Sequence, residues 1–185
     1  MKVIETGFKD LWVIEPKVFG DSRGYFFEAF NAMEFKRNTE LAPEFVQQNQ
    51  SKSGKNVLRG MHLQVGSAAQ AKLVRIIQGS VLDVVVDLRK EEPTFGQYYA
   101  IELNAENQKS LFVPRGMAHG FLTLKDETIF TYSCDNYYNK EAERTLNYAD
   151  PVVAISWPNV GSPILSDKDQ RGLSFNETVI SLDEY

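Results

Sequence analysis

The chain is poor in the side chains that most often hold metal ions or cross-link a fold, with only 2 histidines and 1 cysteine in 185 residues. The lone Cys134 cannot close an internal disulfide, and no C-x-x-C spacing suggests a zinc or redox site. That usage predicts a reducing, cytoplasmic setting. No apolar run approaches the ~20 residues of a membrane span, and the opening segment Met1–Asp10 carries charges where a signal peptide needs an unbroken apolar core. Basic charge is short as well: 20 Lys+Arg against 25 Asp+Glu leave a net −5. Nucleic-acid binding draws most of its affinity from a basic surface, so neither nucleic acid nor membrane is expected as a partner. An anionic ligand must then be held by a local cluster.

The length suits one domain, residues 1–185, and a domain of this size buries roughly 70% of the surface its unfolded chain exposes. No repeat, low-complexity tract or long linker interrupts it. Apolar residues recur mostly with period two, the mark of strands. Lys72, Val74 and Ile76 share one face, and Gln78-Gly79-Ser80 has turn chemistry. Beyond it, Leu82, Val84, Val86 and Leu88 alternate with Val81, Asp83, Val85 and Asp87, which predicts a hairpin. Shorter strands are predicted at Trp12–Pro16, Tyr25–Phe30, Phe45–Ser51, Tyr98–Leu103, Lys109–Val113 and Ile129–Cys134, separated by Gly, Asn, Asp, Pro and Lys. The fold is therefore expected to be mainly all-β, a sandwich or barrel. A helix is predicted from the N-cap Asn31, with Glu34 placed for a capping box and Phe35 as buried anchor, to about Thr39. From Asp150 onward the pattern is less regular, and short helices packed over the barrel are expected.

The histidines are His62, in Arg59-Gly60-Met61-His62-Leu63-Gln64, and His119, in Pro114-Arg115-Gly116-Met117-Ala118-His119-Gly120-Phe121. A barrel metal site usually draws three or more His and carboxylate ligands from neighbouring strands, often beginning with H-x-H. No H-x-H exists here, so no metal and no cofactor are expected. The imidazoles are then available for acid–base work. His62 reads equally well as a hydrogen-bonded core residue, and His119 reads more readily as one. Lys72 is in phase with Val74 and Ile76 and should point into the barrel, where an ammonium can stabilise an enolate oxygen. An edge strand or a snorkelling stem would explain it as readily. Tyr132 alone reads as strand packing. Arg23 and Arg59 lie beside glycines, where a guanidinium can clasp a phosphate, although a surface ion pair is the commoner outcome. Asp169, in Asp167-Lys168-Asp169, suits a solvated helix start or a carboxylate that fixes an imidazole tautomer.

The ordered set Phe19-Gly20-Asp21-Ser22-Arg23-Gly24-Tyr25-Phe26-Phe27-Glu28, Gln47-Gln48-Asn49-Gln50-Ser51, R-G-M-H-x-Q at Arg59–Gln64, K-L-V-R at Lys72–Arg75, Asp83–Arg89, P-x-G-x-A-H-G-F at Pro114–Phe121 and Leu165–Asp169 resembles the dTDP-4-dehydrorhamnose 3,5-epimerase family. The likeness runs from about Val18 to Leu173. It departs at Val65–Ala69, which lacks a proline often found there, and at Asn147–Asp150; both are loops and bear on substrate detail. The resemblance implies a cupin-like jelly roll with a few short helices, homodimeric, acting on a nucleotide sugar, dTDP-4-dehydro-6-deoxy-D-glucose. It implies His62 as proton acceptor, Asp169 as its orienting partner, Tyr132 as proton donor and Lys72 as oxyanion stabiliser. It further implies that Arg23, Glu28, Gln47, Gln48, Asn49, Arg59, Lys72, His119, Glu143 and Lys168 contact the substrate, Arg23 reaching in from the other subunit. Epimerisation at one centre, C3 or C5, a keto-sugar isomerisation, a non-catalytic sugar-nucleotide- or small-ligand-binding barrel and a metal-dependent oxygenase are the alternatives that remain.

Overall fold

The computed structural model describes residues 1–182. In chain order the strands are β1 (Lys2–Glu5), β2 (Trp12–Glu15), β3 (Phe19–Asp21), β4 (Gly24–Phe26), β5 (Gln47–Ser53), β6 (Leu58–Gln64), β7 (Lys72–Gln78), β8 (Ser80–Asp87), β9 (Tyr98–Asn104), β10 (Ser110–Val113), β11 (Met117–Thr123), β12 (Thr128–Cys134) and β13 (Glu143–Thr145). Helix α1 (Ala32–Thr39) follows β4, and α2 (Asp167–Gln170) and α3 (Phe175–Leu182) close the described chain. One antiparallel sheet runs β1-β2-β10-β7-β12-β5 and a second runs β13-β6-β11-β8-β9. They face each other across a core of Val74, Ile76, Val81, Val85, Leu111, Val113, Phe121 and Phe130. This is the expected mainly β, cupin-like jelly roll.

Period-two alternation sends the intervening residues outward, and both outer faces are covered. Ile14, Leu73 and Phe112 pack beneath Phe35 of α1. That helix starts as predicted, with Asn31 Oδ1 accepting from the Met33 and Glu34 amides. Glu34 does not complete a capping box; its carboxylate takes Arg37 instead. On the other sheet, Met61, Leu63, Val84, Val86 and Leu88 are covered by Leu146, Val153 and Phe175 of the irregular C-terminal segment. Among the described residues no helix is long and apolar enough to cross a membrane.

The structure overturns the expected Lys72–Leu88 hairpin. β7 pairs with β10 and β12, while β8 pairs with β9 and β11. The turn at Gly79, with φ of 84°, carries the chain from one sheet to the other. Alternation and turn chemistry are the same for a hairpin and for a corner between sheets, so the pattern could not separate them. The strand expected at Tyr25–Phe30 is shorter. It pairs only with β3, in an exposed ribbon outside both sheets. Conversely, β6 and β11 were masked by their glycines. These two backbones approach so closely that a Cβ on Gly120 would lie 2.6 Å from Met61 Sδ and 2.7 Å from the Arg59 carbonyl oxygen. The register between them also slips between His119 and Phe121.

Gly120→Ala should therefore fold but lose about 1–3 kcal/mol through overpacking, a fall in Tm of roughly 2–12 °C for a chain of this length. Thermal unfolding checks it, and an unchanged Tm would mean that the β6–β11 approach relaxes freely.

Candidate active site

Between the sheets lies a cavity of about 470 Å³. Strand periodicity decides which side chains reach it. On β5, Gln47, Asn49 and Ser51 line the cavity, while Gln48, Gln50 and Lys52 face outward and are exposed. Arg59, His62 and Gln64 come from β6, Lys72 from β7, His119 and Phe121 from β11, and Tyr132 from β12. Tyr138, Glu143, Ser166, Lys168 and Asp169 complete the wall.

His62 Nε2 lies 2.6 Å from Asp169 Oδ1. Asp169 stands on α2, whose N-cap Ser166 donates from Oγ to Asp169 Oδ2 at 2.7 Å. Burial pushes the Asp169 carboxyl up, but hydrogen bonds from His62 and Ser166, with the charges of His62 and Lys168, outweigh it and hold the group below its ordinary value. An ionised Asp169 accepts the Nε2 proton and leaves the Nδ1 lone pair as the basic position of His62. Lys72 does point inward: it is buried on the core face, with Nζ 3.5 Å from the His62 carbonyl oxygen. Burial lowers its pKa, partly offset by the nearby Cys134 sulfur and by the carboxylates of Glu143 and Asp83. Tyr132 sits opposite Asn49 on β5 and Val74 on β7. Burial and nearby Cys134 and Glu143 raise its pKa, so the phenol keeps its proton at neutral pH. An imidazole held by a carboxylate, a protonated phenol and a buried amine thus face one cavity, His62 from one sheet and Lys72 and Tyr132 from the other.

Several other polar side chains of the wall are already engaged. Arg59 Nε donates to Ser53 Oγ at 3.1 Å, and Gln47 Oε1 accepts from the Tyr138 amide. Glu143 takes Lys168 Nζ on Oε1 at 2.9 Å and the Tyr138 hydroxyl on Oε2 at 3.2 Å. His119 Nε2 meets the carboxylate of Asp83. Arg23, Glu28 and Gln48 do not line the cavity. Arg23 pairs with Asp21 in the exposed ribbon, and Glu28 accepts from Asn31 at the α1 cap. Sequence reasoning passed over Asp83, Ser166, Gln64, Gln70 and Tyr138 as site residues. An acidic residue in phase with Val81 and Val85 was the one available signal for Asp83; nothing local marked the others. Among the described residues, no three His, Cys, Asp or Glu side chains converge as a metal site would require.

A jelly roll with these groups facing one polar cavity falls in the class of cupin-type barrels fitted for proton transfer on a small polar ligand. The family model described as dTDP-4-dehydrorhamnose 3,5-epimerase matches residues 5–177, and the chain belongs to that family. It is 49% identical over 175 residues to the dTDP-4-dehydrorhamnose 3,5-epimerase of Shigella flexneri, covering 95% of this chain and 96% of the relative. The crystal structure of a dTDP-6-deoxy-D-glucose-3,5-epimerase from Legionella pneumophila in complex with dTDP-4-keto-L-rhamnose superposes with a TM-score of 0.93 at 41% identity, covering 98% of this chain and 96% of that one. A 3'-monoepimerase from Streptomyces bikiniensis in complex with dTDP-quinovose follows the same fold, with a TM-score of 0.89 at 31% identity over 96% of this chain and 89% of that one.

Burial of Lys72 makes stability depend on pH with a definite sign. Its folded-state pKa lies below the ordinary lysine value of 10.5, so between the two values the unfolded chain holds a proton that the folded chain has lost. Stability attributable to this residue therefore rises with pH across that window. Lys72→Met should stabilise the protein by about 1–2 kcal/mol at neutral pH, with the advantage shrinking toward 10.5. Urea unfolding across pH checks it; a destabilised variant at neutral pH would show that the ammonium is well compensated in the fold.

Proposed function

We propose that the chain epimerises dTDP-4-dehydro-6-deoxy-D-glucose at C3 and C5 to dTDP-4-dehydro-L-rhamnose, the step that commits the sugar to dTDP-L-rhamnose. The observation that carries the reading is the 2.6 Å His62–Asp169 hydrogen bond in a cavity shared with Lys72 and Tyr132. The C4 ketone acidifies the hydrogens on both flanking carbons, and in the D-gluco ring these two project from one face. His62 takes the proton at each carbon in turn, the electron pair moves to the C4 oxygen, and the Lys72 ammonium stabilises the enolate. Tyr132 returns a proton to carbon from the opposite face, which inverts the centre, and solvent exchange resets both groups. The sequence of steps balances without an oxidant. Arg59, His119, Glu143, Lys168, Gln47 and Asn49 hold the nucleotide sugar, and binding energy from its distal part orients the ring.

Inversion at a single centre is the second reading, favoured by the shared fold of the Streptomyces bikiniensis 3'-monoepimerase. Proton NMR of the ketosugar with enzyme in deuterated water separates the two. Deuterium at both C3 and C5 is expected, and label at one carbon alone would establish the single-centre reaction. His62→Asn should abolish exchange at both carbons. Tyr132→Phe should cut product formation by about 10²–10⁴-fold, the usual span for a general acid, while label still enters unepimerised substrate. Product at the parental rate would remove Tyr132 from the mechanism.

We further propose that the enzyme is one catalytic domain, works in the cytoplasm and forms a homodimer. The ribbon of β3 and β4 exposes Val18, Phe19, Tyr25 and Phe26 together, and Arg23 stands on it, away from its own cavity. A second copy covering this face would receive Arg23 at its phosphate-binding wall. Phe26→Asp should then sediment as a monomer and raise KM about tenfold, one tenfold step being ~1.4 kcal/mol of lost binding. A dimer of unchanged affinity would place the interface elsewhere.

A further inference from the structure

One carboxylate in the barrel has no part in the mechanism above. Asp83, on β8, is fully buried, and its oxygens lie 3.1 and 3.0 Å from His119 Nε2. It shares its face with Val81 and Val85, beside Phe121, which stacks on Phe130 with ring centroids 4.1 Å apart. A carboxylate in such surroundings is tolerated only when a donor meets it. Continuous valine on both sides would have packed this strand without that demand. The arrangement repeats the one at His62: each histidine gives Nε2 to a carboxylate and lines the cavity, and the two are cross-strand partners on β6 and β11.

We propose that Asp83 is a positioning residue that keeps the proton on His119 Nε2, so that Nδ1 is the nitrogen that meets the bound sugar nucleotide. This rests on the reading of the cavity as a sugar-nucleotide site. An imidazole without such a partner populates both tautomers and both ring orientations, and the polar atom offered to the ligand changes with them. With Asp83 accepting, one tautomer and one orientation satisfy the buried oxygens. The ligand then finds the same contact at every encounter, and the ordering is completed during folding instead of during turnover.

The low histidine content makes this measurable. With 2 histidines in the chain, a long-range proton–nitrogen correlation spectrum of the ¹⁵N-histidine-labelled protein contains two ring systems, and His62→Asn assigns the remaining one to His119. Nε2 of His119 is expected at a protonated nitrogen shift, and added dTDP should move Nδ1 more than Nε2. In Asp83→Asn the side-chain amide can donate to Nε2, so the ring should shift toward the Nδ1–H tautomer and kcat/KM should fall about 10- to 100-fold, as for loss of other imidazole-orienting partners. Adding Asp83→Asn to His119→Ala should cost less than about 2-fold more, because residues that act through one another are not additive. An unprotonated Nε2 in the parent, parental kcat/KM in Asp83→Asn, or a full further loss in the His119→Ala background would each overturn the proposal. If Asp83→Asn fails to fold, the parent spectrum still decides. A parent that turns over no ketosugar would defeat the epimerase reading, while the nitrogen shifts would continue to judge Asp83.

Discussion

The hydrogen bond between Asp169 and His62 joins residues 107 positions apart in the chain, and the site exists only where it forms. His62 sits on β6, paired on both sides by β11 and β13; Asp169 sits on the short helix α2 of the less regular C-terminal segment. What brings them together is burial elsewhere. The outer face of the β6–β11–β8 sheet is apolar, and Leu146, Val153 and Phe175 cover it. Backbone bonds from Leu58 to Ile164 and from Leu173 to Thr145 then lead the C-terminal segment along β6 and β13. Ser166 ends this path by capping α2 and gripping Asp169 in the same gesture. Apolar burial far from the cavity thus fixes the orientation of the His62 imidazole, a division of labour expected when packed elements position the polar groups of a site.

The cavity also shows how a domain accommodates charge in its interior. Lys72 is buried, and the nearby carboxylates of Glu143 and Asp83 favour its ammonium form without lying in a direct ion pair with it. Each histidine has a carboxylate behind it, and Glu143 accepts from both Lys168 and Tyr138. Buried charges persist when hydrogen-bonded partners satisfy them and are otherwise strongly unfavourable. The wall is therefore organised by contacts within the chain, and its polar groups face the cavity already oriented.

Much of the fold was legible along the chain because strand residues report their environment locally. Alternation located β2, β7, β8, β9, β10 and β12 to within a residue or two, and Asn31 located the start of α1, since side-chain direction and capping depend on near neighbours. The glycines of β6 and β11 hid those strands, because their purpose is close approach between two backbones. The ordered motifs pointed to the family and to His62, Lys72, Tyr132 and Asp169, but period two alone could not tell which face of β5 would be inner. The structure turns Gln47 and Asn49 in and Gln48 out.

Composition and local pattern by themselves determined a mainly β chain, poor in metal-binding side chains, with a lysine in phase with apolar strand residues and a family likeness carried by short motifs. Tertiary structure alone decided that β7 and β8 part into different sheets, that Arg23 lies on an exposed ribbon, that Ser166 supports Asp169, and that Asp83 stands behind His119. The physical reason is range. Periodicity, turns and caps are set by contacts a few residues apart, whereas strand partners, cavity walls and the charges that face one another are chosen by burial among segments distant in the chain.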